Sequence, residues 1–247
     1  RMSGDGDGMA APALSTPAAI DVTVAAVDAP HTGELHMSVE SSADITATML
    51  ADNQVSDPDV MSPATVGSEW QALVGGTWTT IGSGDAFAAG YDRSGQLIRA
   101  AAVYDDVDGA TTIGSPETVR VGNASANTLL SAQVALPGQG YGPTTLIGFG
   151  GNDTYRVGAG DTIIETATGG TDSVETSTVD IDLANFANVE NITLTGNSTV
   201  SATGNELANA INGQTNSGAN HLIGGAGNDT YAVGAGDRIT DSSGTDL

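Results

Sequence analysis

Along the first half of the chain, apolar and polar residues alternate in short runs. Ile20, Val22 and Val24 are apolar with Asp21 and Thr23 between them, and similar runs cover 36–39, 44–50, 69–73, 78–81, 86–88, 96–104 and 117–121. A period of two puts one set of side chains on one face of a strand, and the Gly, Asp, Asn and Ser clusters between runs are turn signals. Seven or eight such strands between residues 18 and 122 predict an antiparallel β-sandwich. After residue 123 the pattern changes. Ile181, Leu183, Phe186, Val189, Ile192, Leu194, Leu207, Ile211 and Leu222 recur singly, separated by polar and Gly- or Asn-rich segments. Short strands that each turn one residue inward, with tight turns between them, predict a second all-β unit of a different kind.

One stretch of this second unit occurs twice. Residues 151–165, GNDTYRVGAGDTIIE, match residues 227–241, GNDTYAVGAGDRITD, at eleven of fifteen positions without a gap. Just ahead of each copy stands a glycine-rich turn, Gly148-Phe149-Gly150 in the first and Gly224-Gly225-Ala226 in the second. Glycine permits a positive φ and a tight turn that a Cβ would obstruct. Such a turn aims several carbonyl oxygens into one space, and Asp153 or Asp229 adds an anionic oxygen. Calcium, a hard cation, takes six to eight oxygens in tolerant geometry. The turns around Gly148, Gly150, Asn152 and Asp153, and around Gly224, Ala226, Asn228 and Asp229, are therefore candidate calcium half-shells.

The motif G-G-x-G-x-D-x-U-x, complete at 224–231 with Tyr231 as U and nearly so at 148–155 with Tyr155, resembles the hemolysin-type calcium-binding repeat of the RTX family. The resemblance implies a parallel β-roll over 123–247. The stretch from Leu50-Ala51-Asp52 through Trp70-Gln71 and Trp78 to Tyr104-Asp105 resembles the Ig-like modules of large secreted bacterial proteins and covers about 18–122. Trp70 falls where such a module buries a tryptophan, and the cysteine pair of antibody domains is absent. The fold class expected is thus all-β, an Ig-like antiparallel β-sandwich followed by a short parallel β-roll. Residues 1–17 read as a linker or the end of a preceding repeat, and 123–147 as an entry loop.

In a two-sided roll of nine residues per turn and strand, turns on one side recur about every 18 residues. From Asp153 this step reaches Asp172, in the turn opened by Gly169. From Asp161 it reaches Asp180 and Asp182. Two paired half-shells are expected, one on each side. A rung after Asp229 would fall beyond Leu247, so Asp229 and Asp237 are expected to have incomplete partners. In the rungs between the copies, Asn replaces Asp. Asn tolerates the left-handed region and bonds neighbouring turns, so these rungs should be held by side-chain ladders and aliphatic packing.

Charge narrows the partners. The chain carries 6 Lys+Arg, all arginine, against 30 Asp+Glu, a formal net charge of -24. Such a surface repels nucleic acid and anionic headgroups and attracts divalent cations. Charged residues are only 15% and apolar residues 39%, which argues against simple disorder. There is no cysteine, so neither a disulfide nor a thiolate metal site is available. No apolar stretch approaches the ~18 residues of a membrane span.

Two acidic loops lie in the first unit. Asp57 and Asp59 stand in one, Asp105 and Asp108 in the other. If these are the B–C and F–G loops of an Ig-like module they share one end, where the carboxylates would repel unless a cation joined them. The alternative is two ordinary solvated turns. His31 and His36 lack the i, i+4 spacing of a zinc helix, no nucleophile elbow or phosphate loop is visible, and Asp57-Pro58 is a plain turn dipeptide that also resembles a self-processing pair of some RTX proteins.

The resemblance implies a non-enzymatic, calcium-binding structural region of a larger secreted protein, extracellular or at the cell surface, that folds on Ca2+ after type I export. An adhesive module with a cell-surface or extracellular ligand, or an accessory segment of a secreted enzyme, are the alternatives.

Overall fold

The structure, a computed structural model, describes residues 32–43, 46–56, 62–106 and 109–247. The expectations for residues 1–31 and for Asp57, Asp59 and Asp108 lie outside the described residues.

The described residues are all-β, with antiparallel sheets followed by a parallel β-solenoid. Strands β1 (Leu35–Ala43), β2 (Thr46–Asn53) and β5 (Ala86–Gly90) form a three-stranded antiparallel sheet in the order β1-β2-β5. Strands β3 (Ser62–Val74), β4 (Thr77–Ser83), β6 (Leu97–Asp106) and β8 (Thr118–Asn123) form a second sheet, ordered β4-β3-β6-β8, with β7 (Gly109–Gly114) also paired to β6. Alternation makes the two sheets one core. Leu35, Met37, Ala47, Met49 and Ala89 from the first meet Trp70, Ala72, Ile98, Ala100, Ala102 and Tyr104 from the second. The small residues around Trp70 leave room for its indole, which is fully buried, donates from Nε1 to the Gly84 carbonyl at 2.9 Å and stacks on Phe87.

Strand β8 has a different partner on each side. It runs antiparallel to β6 and parallel to β10 (Thr144–Phe149), which in turn runs parallel to β12 (Thr162–Ile164). The expected boundary at 122/123 falls at the end of this shared strand. The segment 123–147 is more than an entry loop. It contains β9 (Thr128–Leu130), a helical turn at Ala132–Ala135 capped by the Ser131 hydroxyl, and the start of β10. Its Gly and Pro content hid short strands, because three residues suffice for a rung of this coil.

From β8 onward the chain alternates between two parallel faces for about five turns. One face stacks β9, β11 (Thr154–Arg156), β13 (Ser173–Thr176), β15 (Asn191–Leu194), β17 (Ala210–Asn212) and β19 (Thr230–Ala232). The other stacks β8, β10 and β12, and then, as a separate sheet, β14 (Ile181–Asp182), β16 (Ser201–Thr203), β18 (His221–Ile223) and β20 (Arg238–Thr240). Register places Leu129, Tyr155, Val174, Ile192, Ile211 and Tyr231 one above another, facing Leu146, Ile163, Ile181, Ala202 and Leu222. With few aromatics, the two faces are joined by a thin aliphatic core.

Candidate metal centre

The turn row that carries the chain into the first face holds a ladder of side chains bonded to main-chain amides. Asn127 N–H donates to Asp153 Oδ1 (2.6 Å), Asp153 N–H to Asp172 Oδ1 (2.7 Å), and Asp172 N–H to Glu190 Oε2 (2.8 Å). Further along, Asn209 N–H donates to Asp229 Oδ1 (2.8 Å) and Asp229 N–H to Asp246 Oδ1 (2.9 Å). In each of these pairs the amide of one rung is satisfied by the carboxylate of the rung that follows; the row breaks at Glu190, whose N–H donates to the Asp172 carbonyl (3.3 Å). The step from Asp153 to Asp172 is 19 residues and from Asp229 to Asp246 17.

This ladder uses one oxygen of each aspartate. The second, Oδ2, of Asp153, Asp172 and Asp229 is buried without a hydrogen-bond partner, and these residues are 1%, 0% and 1% exposed. A buried, unpaired carboxylate oxygen costs about 1–3 kcal/mol or more. Where Asn takes the same position, the difficulty disappears. Asn209 accepts from Asn205 N–H through Oδ1 and donates through Nδ2 to the Glu190 carbonyl.

A third acid enters each aspartate pair from the opposite face. Register aligns Gly148 with Glu165 and Gly224 with Asp241, one residue past the paired ends of β10–β12 and β18–β20. Gly122 and Gly204 hold the same position on other rungs. A Cβ on Gly148 would lie 2.0 Å from Glu165 Oε1 and 2.2 Å from Asp153 Oδ2; one on Gly224 would lie 2.3 Å from Asp229 Oδ2 and 2.7 Å from Asp241 Oδ2. The glycines thus make the space that the acids occupy. The Tyr155 hydroxyl donates to Glu165 Oε1 and the Tyr231 hydroxyl to Asp241 Oδ2.

Two equivalent clusters result, Asp153–Glu165–Asp172 and Asp229–Asp241–Asp246, each with one oxygen per residue within 4.8 Å of the others. The first is buried; Asp241 and Asp246 of the second are not. At 4.8 Å and an effective dielectric of about 20, each pair of like charges repels by roughly 3 kcal/mol. Burial, together with the Glu165 and Asp172 charges, pushes Asp153 up to about 7; burial and neighbouring acids push Glu165 up to about 7. Burial also raises Asp172 and Asp229. The Tyr231 hydroxyl holds Asp241 below the usual carboxylate range. Both tyrosines are raised, chiefly by burial, and remain donors.

The sequence step from Asp153 to Asp172 thus corresponds to a real juxtaposition. Asp161 and Asp237 are placed otherwise. Asp161 accepts from Thr144 N–H (2.8 Å) and Gly158 N–H (2.6 Å), and Asp237 from Asn220 N–H (2.8 Å) and Gly234 N–H (2.7 Å), so both oxygens of each are taken. Asp180 caps Ser201 N–H (2.7 Å). Asn152 and Asn228 brace the next turn through Thr171 N–H and Thr245 N–H, both at 3.0 Å. Gly150 and Ala226 donate to the Asn123 and Asn205 carbonyls, and Gly169 lies against Glu165 Oε2, where a Cβ would come within 2.2 Å. Asp105 is exposed at the β6–β7 hairpin, opposite Ala110. Asp229 does have partners within the chain, Asp241 and Asp246, contrary to the expectation of an incomplete rung. Glu165, Asp241 and Asp246 were missed from sequence. Two signals mark them: the matched segments both end on an acid, and Gly170-Thr171-Asp172 recurs as Gly244-Thr245-Asp246.

No family model matches the sequence, and comparison with curated proteins and with solved structures gives no significant match.

The clusters fit a hard cation. Their donors are carboxylate oxygens, two unpartnered oxygens are buried at the first cluster and one at the second, and a glycine keeps each space open. Without a cation, proton uptake is the remaining way to relieve the repulsion.

Proposed function

We propose that this chain is a calcium-binding structural region of a larger secreted RTX protein and that it folds on calcium after type I export. The observation that carries the reading is the duplicated cluster, with its unpartnered buried aspartate oxygens. Asp153, Glu165 and Asp172 would hold one ion, and Asp229, Asp241 and Asp246 a second. An all-oxygen, anionic donor set suits calcium. Magnesium, smaller and reluctant to lose water, suits a buried site less well. Glycine-rich turns and a parallel roll support the RTX assignment. The strand order β1-β2-β5 against β4-β3-β6-β8, with Trp70 buried on β3, supports an Ig-like module ahead of it.

The function follows from linkage. Where calcium is scarce, the clustered carboxylates oppose folding and the chain stays extended enough for export. Where it is abundant, binding free energy becomes folding free energy. The role is structural rather than catalytic. Calorimetric titration of the chelator-treated chain, with far-UV circular dichroism in parallel, tests this. Two calcium equivalents and a reversible gain of β signal are expected. An absence of binding heat together with an unchanged spectrum would reject it.

A further inference from the structure

We infer that the ion at the first site also controls the stability of the antiparallel sheets, whereas the ion at the second does not. This rests on the calcium reading above and adds a regulatory connection to it.

The two sites differ in what lies behind their glycine. Gly148 is followed by Phe149, and Gly224 by Gly225. Both following residues take a left-handed backbone, φ 70° and 96°. Glycine adopts it freely, whereas a bulky residue is strained there, by about 1–2 kcal/mol. Phe149 is held there by burial. It is 2% exposed, belongs to the core that contains Trp70, and packs edge-on to Tyr91 at 5.4 Å between ring centroids. Its carbonyl accepts from the hydroxyl of Thr166, the neighbour of Glu165. Gly148 lines the ion space and Phe149 plugs the antiparallel core, so the two adjacent residues link site and sheets.

A second route is polar. Asp153 Oδ1 accepts from Asn127 N–H, Asn127 Oδ1 from Asn123 N–H (2.7 Å), and Asn123 Nδ2 donates to Ser94 Oγ (2.9 Å) in the turn before β6. The second site repeats the first two links through Asn209 and Asn205, but Asn205 Nδ2 donates to the Val189 carbonyl, inside the roll. Thus both routes leave the roll at the first site and neither does at the second. With the ion bound, the carboxylates draw together beneath Gly148 and the backbone at Gly148 and Phe149 is fixed. Without it, their repulsion bears on Gly148, and the strained Phe149 is the first residue to give way.

The chain's two tryptophans, Trp70 and Trp78, both lie in the antiparallel sheets. In the full chain with Trp78→Phe, Trp70 fluorescence therefore reports thermal unfolding of the core those sheets enclose. The comparison is between that protein, its Asp172→Asn variant and its Asp229→Asn variant, each with calcium and with chelator, and with calorimetry to count bound ions. Asparagine at these positions keeps an Oδ1 for the amide of Asp153 or Asn209 while removing the charge, so the ladder bond is retained. Calcium should raise the Trp70 midpoint by about 3 °C or more in the parent, a shift readily resolved for a chain of this size. Asp172→Asn should abolish the rise, and Asp229→Asn should retain it. If Asp172→Asn has lost one calcium equivalent yet keeps the rise, or if Asp229→Asn abolishes it equally, the coupling is overturned. Two bound equivalents with an unmoved midpoint in the parent reject the coupling alone. No binding heat in the parent rejects the calcium reading as well.

Discussion

At the scale of single residues, the contrast between Asp153 and Asn209 carries most of the chemistry. Both occupy one position of the ladder, one as an anion with an oxygen left over, the other as an amide with every polar atom used. An Asp153→Asn chain should therefore be more stable than wild type in chelator, by about 1–2 kcal/mol, since the buried unpaired oxygen is gone. It should also lose most of the stabilisation that calcium gives wild type. Urea unfolding with and without calcium reads both effects. Proton linkage gives a second expectation. In chelator, Asp153 and Glu165 are pushed up to about 7, above the carboxylate range of an unfolded chain. The folded state then binds more protons than the unfolded one across that interval. Stability should fall as pH rises through it and level off above about 7. Saturating calcium keeps both groups anionic, so the fall should vanish. Urea midpoints across this range, in each condition, show whether the slope depends on the ion.

At the scale of turns and strands, the row containing Asp161 and Asp237 closes turns. Asp161→Ala leaves the Thr144 and Gly158 amides without acceptors and should cost about 1–3 kcal/mol, with calcium affinity changed less than about threefold. Asp172→Ala should reduce affinity at the first site by well over tenfold, and combining it with Asp153→Ala should add little more, since both residues serve one shell. Calorimetry on the set separates the two roles. The sequence exposed this division only in part. A step of 19 residues, one more than nine plus nine, leads from Asp153 to Asp172 because main-chain pairing forces successive rungs into register. The same arithmetic groups Asp161 with Asp180. Spacing reports which turns stack, and says nothing of whether a carboxylate points at its own amides or at a neighbour. Glu165 and Asp241 escaped because they stand at strand ends, where Gly122, Gly148, Gly204 and Gly224 set the pattern. Recognising them requires knowing that the glycine of one rung lies over the acid of the next.

At the scale of the molecule, the alternating runs and the repeat reveal two kinds of β architecture. The sheet that joins them was not legible, since nothing in 118–123 marks one strand as antiparallel on one side and parallel on the other. Cutting at 122/123 would strip β10 of β8, one of its two neighbours, and bare a long hydrogen-bonding edge, whereas β8 meets β6 only at Val119 and Arg120. A fragment 123–247 should therefore aggregate or populate its fold less fully than a fragment 115–247 at the same calcium concentration. Size-exclusion chromatography and circular dichroism of the pair decide it.

The direction of the amide ladder has a temporal consequence. Asn127 depends on Asp153, Asp153 on Asp172, and Asp229 on Asp246, so the inner amide of each of these rungs is completed by a residue that comes later in the chain. A polypeptide emerging from a ribosome always has a newest rung whose inner amide awaits an acceptor not yet made. Assembly from the amino-terminal side would thus stall behind synthesis by a full winding of the coil. Removal of late rungs strands an inner amide and leaves its ladder position empty, whereas removal of early ones strands the strand amides that follow, such as Thr154 N–H on the Asn127 carbonyl, and releases a carboxylate oxygen towards water. The coil has an arrow, and erosion from its two ends should not be symmetrical.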